Sequence, residues 1–403
     1  MTHLVKPTRT LAVLLTLLVA FGPVCTDLYL ASWPDMAKDF KTDTAMVQMT
    51  LVSFVVGFAV MQLGYGPLSD RFGRRRTLMG GVFIFVAASL FCVFAPTIET
   101  LILGRFVQAL GACCGPVVGR AVVRDIFPRD QAAKVMSYMA SAMALAPLVA
   151  PSIGGWFHAW FGWRSNFWLL ALFGVALLAM VWRLLDETNR HPDPTALDIG
   201  RMAENYATLL KDRTFIGYTL TLSVVFAGIF VYLSSSSFIL IDAMGLEPKY
   251  FGFGFSMGSV GYLIGGFIAA RVTHKVGIER MVGLGTLGCT AAGTIMAALT
   301  WSGLAQPGLV GLASILLPVM MFFAFAAFVL PNATAGAIAP FPQMAGTASA
   351  GIGFIQMAGG AGIGWVAGLA FDGTARPMST TMAVLGLVAA LLFFSLVRPA
   401  AKP

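Results

Sequence analysis

The sequence predicts an all-α membrane protein whose twelve transmembrane helices form two pseudo-symmetric six-helix bundles. Three observations predict it. Of the 403 residues, 58% are hydrophobic and only 11% charged, where a soluble domain carries about 25% charged residues; mean hydropathy is +0.83. The apolar stretches run about 18–25 residues, the length that crosses a bilayer core of about 30 Å at about 1.5 Å per helical residue. The only long polar stretch, Asp186 to Arg213, lies in the middle with six apolar spans on either side.

Taken in order, span one covers residues 10–31. It follows Lys6 and Arg9 and runs to Leu30 with no Ala-x-Ala cleavage site, so it is expected to stay as a helix and not to leave as a signal peptide. Spans two and three, 45–65 and 77–95, flank a charged knot that reads GPLSDRFGRRR from Gly66 to Arg76. Spans four (100–122), five (135–157) and six (166–185) complete a first bundle, residues 1–185. Residues 186–212 are a cytoplasmic linker: His191-Pro192-Asp193-Pro194, then a mildly amphipathic segment suited to the membrane surface. The second bundle, 213–403, holds spans at 213–236, 250–270, 281–300, 308–331, 344–370 and 377–397, with Pro331, Pro340 and Pro342 at the junction of the tenth and eleventh. Between spans eight and nine, GFIAARVTHKVGIER from Gly266 is a worn copy of the first knot, keeping Arg271, Gly277 and Arg280 but placing Ala270 where the aspartate stood.

Positive charge sets the orientation. With the amino terminus inside, inner loops hold Arg71, Arg74, Arg75, Arg76, Arg124, Arg190, Arg201, Arg213 and others, whereas outer loops hold only Lys38, Lys41, Arg164, Lys249 and Arg376. Both termini are therefore expected in the cytoplasm. The net charge of +8 is spread over short loops with no aromatic-interleaved basic patch, which speaks against nucleic acid. Five cysteines, all within spans, argue against a disulfide framework. No metal-ligand cluster and no phosphate loop appears, so neither a cofactor nor ATP drive is expected. Gly254-x-Ser256-x-Gly258 fits a hydrolase elbow, but that elbow needs a strand-to-helix turn and a histidine partner; within a span, helix packing by small residues explains it. Gly360, Gly364 and Gly368 read as a packing stripe in the same way.

Ionisable groups within a span cost on the order of 2.5–3.5 kcal/mol at the helix centre, so the few present are candidates for function. Asp27 lies near the outer end of span one, among Pro23-Val24-Cys25-Thr26-Asp27-Leu28-Tyr29-Leu30. Arg105, on span four, is expected at similar depth, with Gln108 one turn on and on the same face. A carboxyl in an apolar cavity favours its neutral form and a neighbouring arginine favours the charged one, so this pair could take and release a proton. Arg120 is near the inner end of span four. Asp70, Arg74 and Asp125 are expected to meet at the inner surface as a lock, and a carboxylate there could cap the positive amino end of span eleven. Phe54, Phe226, Phe230, Tyr232 and Tyr262 are candidates for lining a cavity.

These motifs resemble those of the major facilitator superfamily, and within it the twelve-helix drug:proton antiporters of the Bcr/CflA type. Gly66, Asp70, Arg71, Gly73, Arg74 and Arg76 match its loop signature, and Arg105-Phe106-Val107-Gln108-Ala109-Leu110-Gly111 its fourth-helix motif. Gly119-Arg120 through Arg124-Asp125 is similar to the Bcr-like branch. Pro147, Pro151, Gly154 and Gly155 on span five resemble the antiporter motif that limits leak. Thr26-Asp27-Leu28-Tyr29-Leu30 resembles the first-helix motif linked to proton and drug binding, with Ala31 where relatives often carry proline.

The resemblance implies a multi-pass protein of the bacterial inner membrane, with the major facilitator fold, that exports small amphipathic antibiotics in exchange for protons by rocker-switch alternating access. Phenicols, bicyclomycin-like compounds and lipophilic cations all suit that group. Asp27 and Arg105 would couple the proton; Asp27, Thr26, Tyr29, Gln108 and the aromatic residues above would meet the drug. Gly66, Asp70, Arg71, Gly73, Arg74, Arg120 and Asp125 would form the conformational lock. The proton gradient replaces any cofactor, and the protein is expected to be a monomer whose partners are drug, protons and membrane lipid, and not an enzyme. The alternative is a proton-coupled uptake symporter of the same fold.

Overall fold

A computed structural model describes residues 8–189 and 192–397. Its regular elements among those residues are all helical, and twelve are long and apolar enough to cross a membrane: Arg9–Asp39, Thr44–Phe72, Arg74–Val93, Ile98–Ile126, Lys134–Phe161, Arg164–Leu184, Arg213–Ala243, Pro248–Val276, Ile278–Trp301, Leu309–Ile338, Pro342–Leu369 and Arg376–Val397. They are numbered here as spans one to twelve. Apolar side chains such as Phe83, Leu172, Leu309 and Val366 face outward. A helix apolar on every face is what a bilayer surrounding demands.

Several boundaries differ from the hydropathy reading, and each difference has a local cause. Span one is longer because it is broken: helix runs to Asp27, a 3₁₀ turn follows at Leu30–Ser32, and helix resumes over Trp33–Asp39. Pro34 sits in the first turn of that last segment, where its missing N–H is not needed. Span two runs on to Phe72, so Gly66, Asp70 and Arg71 lie on the helix and not in a loop. The turn itself is one residue, Gly73, at φ 97°, a backbone region that favours glycine. Gly277, in the worn copy, has φ 88° and ψ 156° against 97° and 155° for Gly73. The repeat has kept the turn and lost the charge. Span four is interrupted at Cys113, between Ile98–Ala112 and Cys114–Ile126.

The two halves are joined by a segment that contains the helix Ile199–Lys211, capped by the Asp198 side chain. Within the first half, span one packs on five, two on four and three on six; within the second, eight packs on ten, and nine on ten and twelve. Spans two with eleven and five with eight make most of the contacts between halves, and span seven also meets the broken end of span one. Glycines permit the closest approaches: a Cβ on Gly261 or Gly265 of span eight would strike the Met320 or Ala324 carbonyl oxygen of span ten. Small residues are the usual way membrane helices approach so closely. All five cysteines are buried and free.

The two ends of the molecule are unlike. At the end carrying the Gly66–Arg76 motif, here the basic end, a cavity of about 460 Å³ opens between the halves. At the far end the halves are sealed.

Candidate functional site

Asp27 closes the first segment of span one and is 2% exposed. Pro23, four residues earlier, has no N–H to give, and Thr26 Oγ1 turns back to the Pro23 carbonyl at 3.0 Å. The same hydroxyl contacts Asp27 Oδ1 at 2.8 Å. No lysine, arginine or histidine among the described residues lies within ion-pair distance of Asp27. An ionised carboxylate so isolated is expensive to hold away from water.

Arg105, expected beside Asp27, makes other bonds. It is fully buried; Nη2 donates to the Cys25 carbonyl at 3.0 Å, and Nη1 to Gln108 Oε1. Gln108 in turn donates to Ser89 Oγ at 2.6 Å. The guanidinium lies 4.2 Å from the ring centre of Phe54 and 4.4 Å from that of Tyr29, whose hydroxyl meets Thr50 Oγ1 at 3.0 Å. Arg105 thus ties span four to the broken end of span one, and touches the proton candidate only through the backbone next to it. Arg105→Ala is expected to cost on the order of 3 kcal/mol, from two charge-assisted hydrogen bonds and two cation–π contacts. Arg105→Lys recovers little, because one ammonium cannot fork to both acceptors. Thermal melting of the purified variants checks both.

At the basic end, Asp70, Arg74 and Asp125 come together. Arg74 Nη1 donates to Asp70 Oδ1 at 2.5 Å and Nε to Asp125 Oδ2 at 3.1 Å; Thr188 Oγ1 also donates to Asp125, at 3.1 Å. Glu187, not singled out from the sequence for this role, accepts from the backbone N–H of Arg74 at 2.7 Å and of Arg75 at 3.3 Å. A carboxylate on these free N–H groups meets the positive end of span three. The connecting segment is anchored by Asn189 Nδ2 and the Asp193 N–H, both on the Asp70 carbonyl. Hydrogen bonds from Thr195 first, and then from Arg201, hold the Asp193 carboxyl below the usual range.

The remaining lock candidates stand apart. Gly66 has open space around it, Arg71 lies over Phe72, and Arg120 Nε donates to the Pro116 carbonyl of its own helix. Among the described residues, no side chain caps the amino end of the helix Ala345–Leu369 in span eleven. Gly73→Ala is expected to lower stability by about 1–3 kcal/mol for the positive-φ, extended backbone alone (φ 97°, ψ 155°). Its Cβ would also strike the Glu187 carboxylate, so the melting temperature should fall further than in Gly66→Ala.

The far end is sealed largely by glycines and uncharged polar groups. On span five, a Cβ at Gly154 would strike the Leu28 carbonyl, and one at Gly155 would lie 2.6 Å from the Pro248 carbonyl oxygen of span eight. Pro147 and Pro151 lie within the same helix. Gly252 of span eight lies against the Ser152 backbone, and Gly368 of span eleven against the Gln48 side-chain oxygen. Gln48 Nε2 donates to the Ser234 carbonyl at 2.7 Å, and Ser237 Oγ to the Leu30 carbonyl at 2.6 Å. Both bonds join the two halves. Ser256, of the Gly-x-Ser-x-Gly run, donates to the Leu148 carbonyl at 3.0 Å, a packing role between spans eight and five.

The aromatic candidates of the second half do not line the open cavity. Phe226 and Phe230 press on Gly360 and Gly364. Tyr232 is buried between Phe255 and Phe323, with its hydroxyl unbonded. Tyr262 is half-buried against the apolar core. Among the described residues, no three His, Cys, Asp or Glu side chains are grouped to hold a metal.

A family model described as Major Facilitator Superfamily matches residues 13–365. The chain belongs to that superfamily. It is 32% identical to the uncharacterized MFS-type transporter YdgK of Bacillus subtilis, over 98% of this chain and 96% of that protein. It is 33% identical to the bicyclomycin resistance protein homolog of Haemophilus influenzae, over 69% and 70%. It is 28% identical to multidrug resistance protein D of Escherichia coli, over 81% and 80%. The expected resemblance to the drug-resistance branch is thereby borne out. Among solved structures, a bacterial homolog of the human lysosomal transporter Spinster, inward-facing and unoccupied, superposes with a TM-score of 0.75 at 16% identity, covering 98% of both chains. Likeness at that identity speaks for the fold alone. As a major facilitator protein the chain is a multi-pass membrane transporter and not an enzyme.

Proposed function

We propose that this transporter exports small amphipathic antibiotics from the cytoplasm across the bacterial inner membrane in exchange for protons. Asp27 carries the proton, and a hydrogen-bonding or cationic drug competes with that proton for the same carboxylate, while Arg105, with Gln108 and Tyr29, positions the broken end of span one. The observation that carries the reading is the isolation of Asp27: a buried carboxyl at a helix break, bonded to one hydroxyl and, among the described residues, to no cation. The names of its relatives, bicyclomycin resistance and multidrug resistance, support a drug as cargo.

Alternating access follows if residues 1–185 and 213–403 rock as two bodies about the linker 186–212. The basic end is the cytoplasmic one, with both termini, and the structure is then an inward-open form. Asp70, Arg74 and Asp125, linked to the connecting segment through Asn189 and Asp193, form a half-lock that meets span eleven when the halves close on that side. The glycine and serine contacts of the far end are the opposing seal. The protein works as a monomer, with no cofactor beyond the gradient.

Direction of movement separates export from uptake symport. In inside-out vesicles with an acid interior, an antiporter accumulates chloramphenicol or bicyclomycin against its gradient. A proton symporter would instead drive the compound out of the lumen, and that result overturns the proposal.

A further inference from the structure

We infer that the cytoplasmic cavity selects anionic amphiphiles, with Arg120 as the residue that reads the charge. The inference names a substrate class and rests on the export reading above. The cavity of about 460 Å³ is bounded on one side by Asp70, Arg74, Arg120 and Arg124, and on the other by residues 345–347, 349 and 350 of span eleven. Its volume is within the range of small-molecule sites, about 300–1,000 Å³.

The charges around the cavity do not balance. Arg74 is shared between Asp70 and Asp125, and Arg201 is paired with Asp193 at 3.1 Å. Arg120 and Arg124, also on the wall, have no carboxylate within ion-pair distance among the described residues. The Arg120 Nε donates to the Pro116 carbonyl at 2.7 Å. That bond occupies Nε and leaves the two terminal amino groups, a planar fork that matches a carboxylate or sulfonate, with no hydrogen-bond partner among the described residues, on a residue that lines the cavity. Arg124, one helical turn on, adds a second like charge on the same face. Low-dielectric walls concentrate the field of such a pair inside the cleft.

The opposite wall adds donors and no acid. Thr347 and Ser349 line it, and the first turn of the helix Ala345–Leu369 has no side-chain cap among the described residues. Leu63, Val117 and Met136 supply an apolar surface for the body of the ligand. A purely topological role would need only that the arginines reach lipid headgroups; here both border the space between the halves.

The test uses the full chain in nanodiscs of pure phosphatidylcholine and three matched probes: 1-naphthoate, 1-naphthamide and 1-naphthylmethylammonium. Naphthoate is expected to bind about tenfold more tightly than the amide, and the ammonium most weakly, as loss of one bidentate charged contact implies. Arg120→Gln is expected to erase the preference and Arg120→Lys to restore part of it. Arg124→Gln should reduce it, and serves if Arg120→Gln does not fold. Equal binding of acid and amide by wild type, or a preference that survives in both glutamine variants, overturns the inference. In discs with added phosphatidylglycerol the preference should persist; its disappearance would mean that a lipid headgroup occupies the arginines, which also overturns it. Export of the same probes is followed in inverted vesicles: export without charge preference sinks this inference alone, whereas absence of any export sinks the reading beneath it.

Discussion

Asp27→Asn is expected to abolish uphill export while leaving downhill exchange of drug intact. Asparagine keeps the shape of the side chain and can still accept from Thr26 Oγ1, which lies 2.8 Å from Asp27 Oδ1, but it cannot bind and release a proton. The driving force lost is large: about 2.3 kcal/mol per charge per 100 mV and about 1.4 kcal/mol per pH unit. One proton per cycle can therefore sustain a gradient of a few hundredfold for a neutral drug, since about 1.4 kcal/mol is tenfold. In energised inside-out vesicles the accumulation ratio should fall from that range to about one. Melting temperature should not fall, because no ion pair is broken.

The second large effect belongs to the far-end seal. Gly252→Val adds a branched side chain where a Cβ alone already meets the backbone of Ser152 in the other half. Overpacking of this kind costs about 1–3 kcal/mol, and the cost falls on the sealed form only. The balance should therefore move about 5- to 150-fold toward a form open at the far end. Spin labels at Phe161 and Leu309, exposed far-end positions in opposite halves, should show a longer distance. Gly154→Val, which presses on Leu28 within one half, should lower the melting temperature and leave that distance unchanged.

The spans were legible because a bilayer forces long apolar runs, and their number and order follow from hydropathy alone. Boundaries were less so: the break after Asp27 rests on Pro23, Thr26 and Pro34 acting together, and the end of span two on a single glycine. Depth along a helix can be counted from sequence, whereas rotation about its axis cannot be read so directly. Arg105 and Asp27 were placed at matching depth, yet Arg105 bonds the carbonyl of Cys25, two residues and about 200° around the helix.

The same geometry separates Arg120 from Asp125. Five residues apart, they point about 140° from each other, so Asp125 meets Arg74 while Arg120 lines the cavity. Gln48, Ser234 and Ser237 were missed because uncharged polar groups barely disturb a hydropathy window. The signal that could have found them was a glutamine and a run of four serines in otherwise apolar spans.

The most direct test of proton exchange through Asp27 is drug-driven proton release from inverted vesicles holding an imposed pH gradient. Wild type should collapse the gradient when an exported drug is added, and Asp27→Asn should not. An equal collapse in both would contradict the account, making Asp27 a structural cap and moving the coupling site elsewhere.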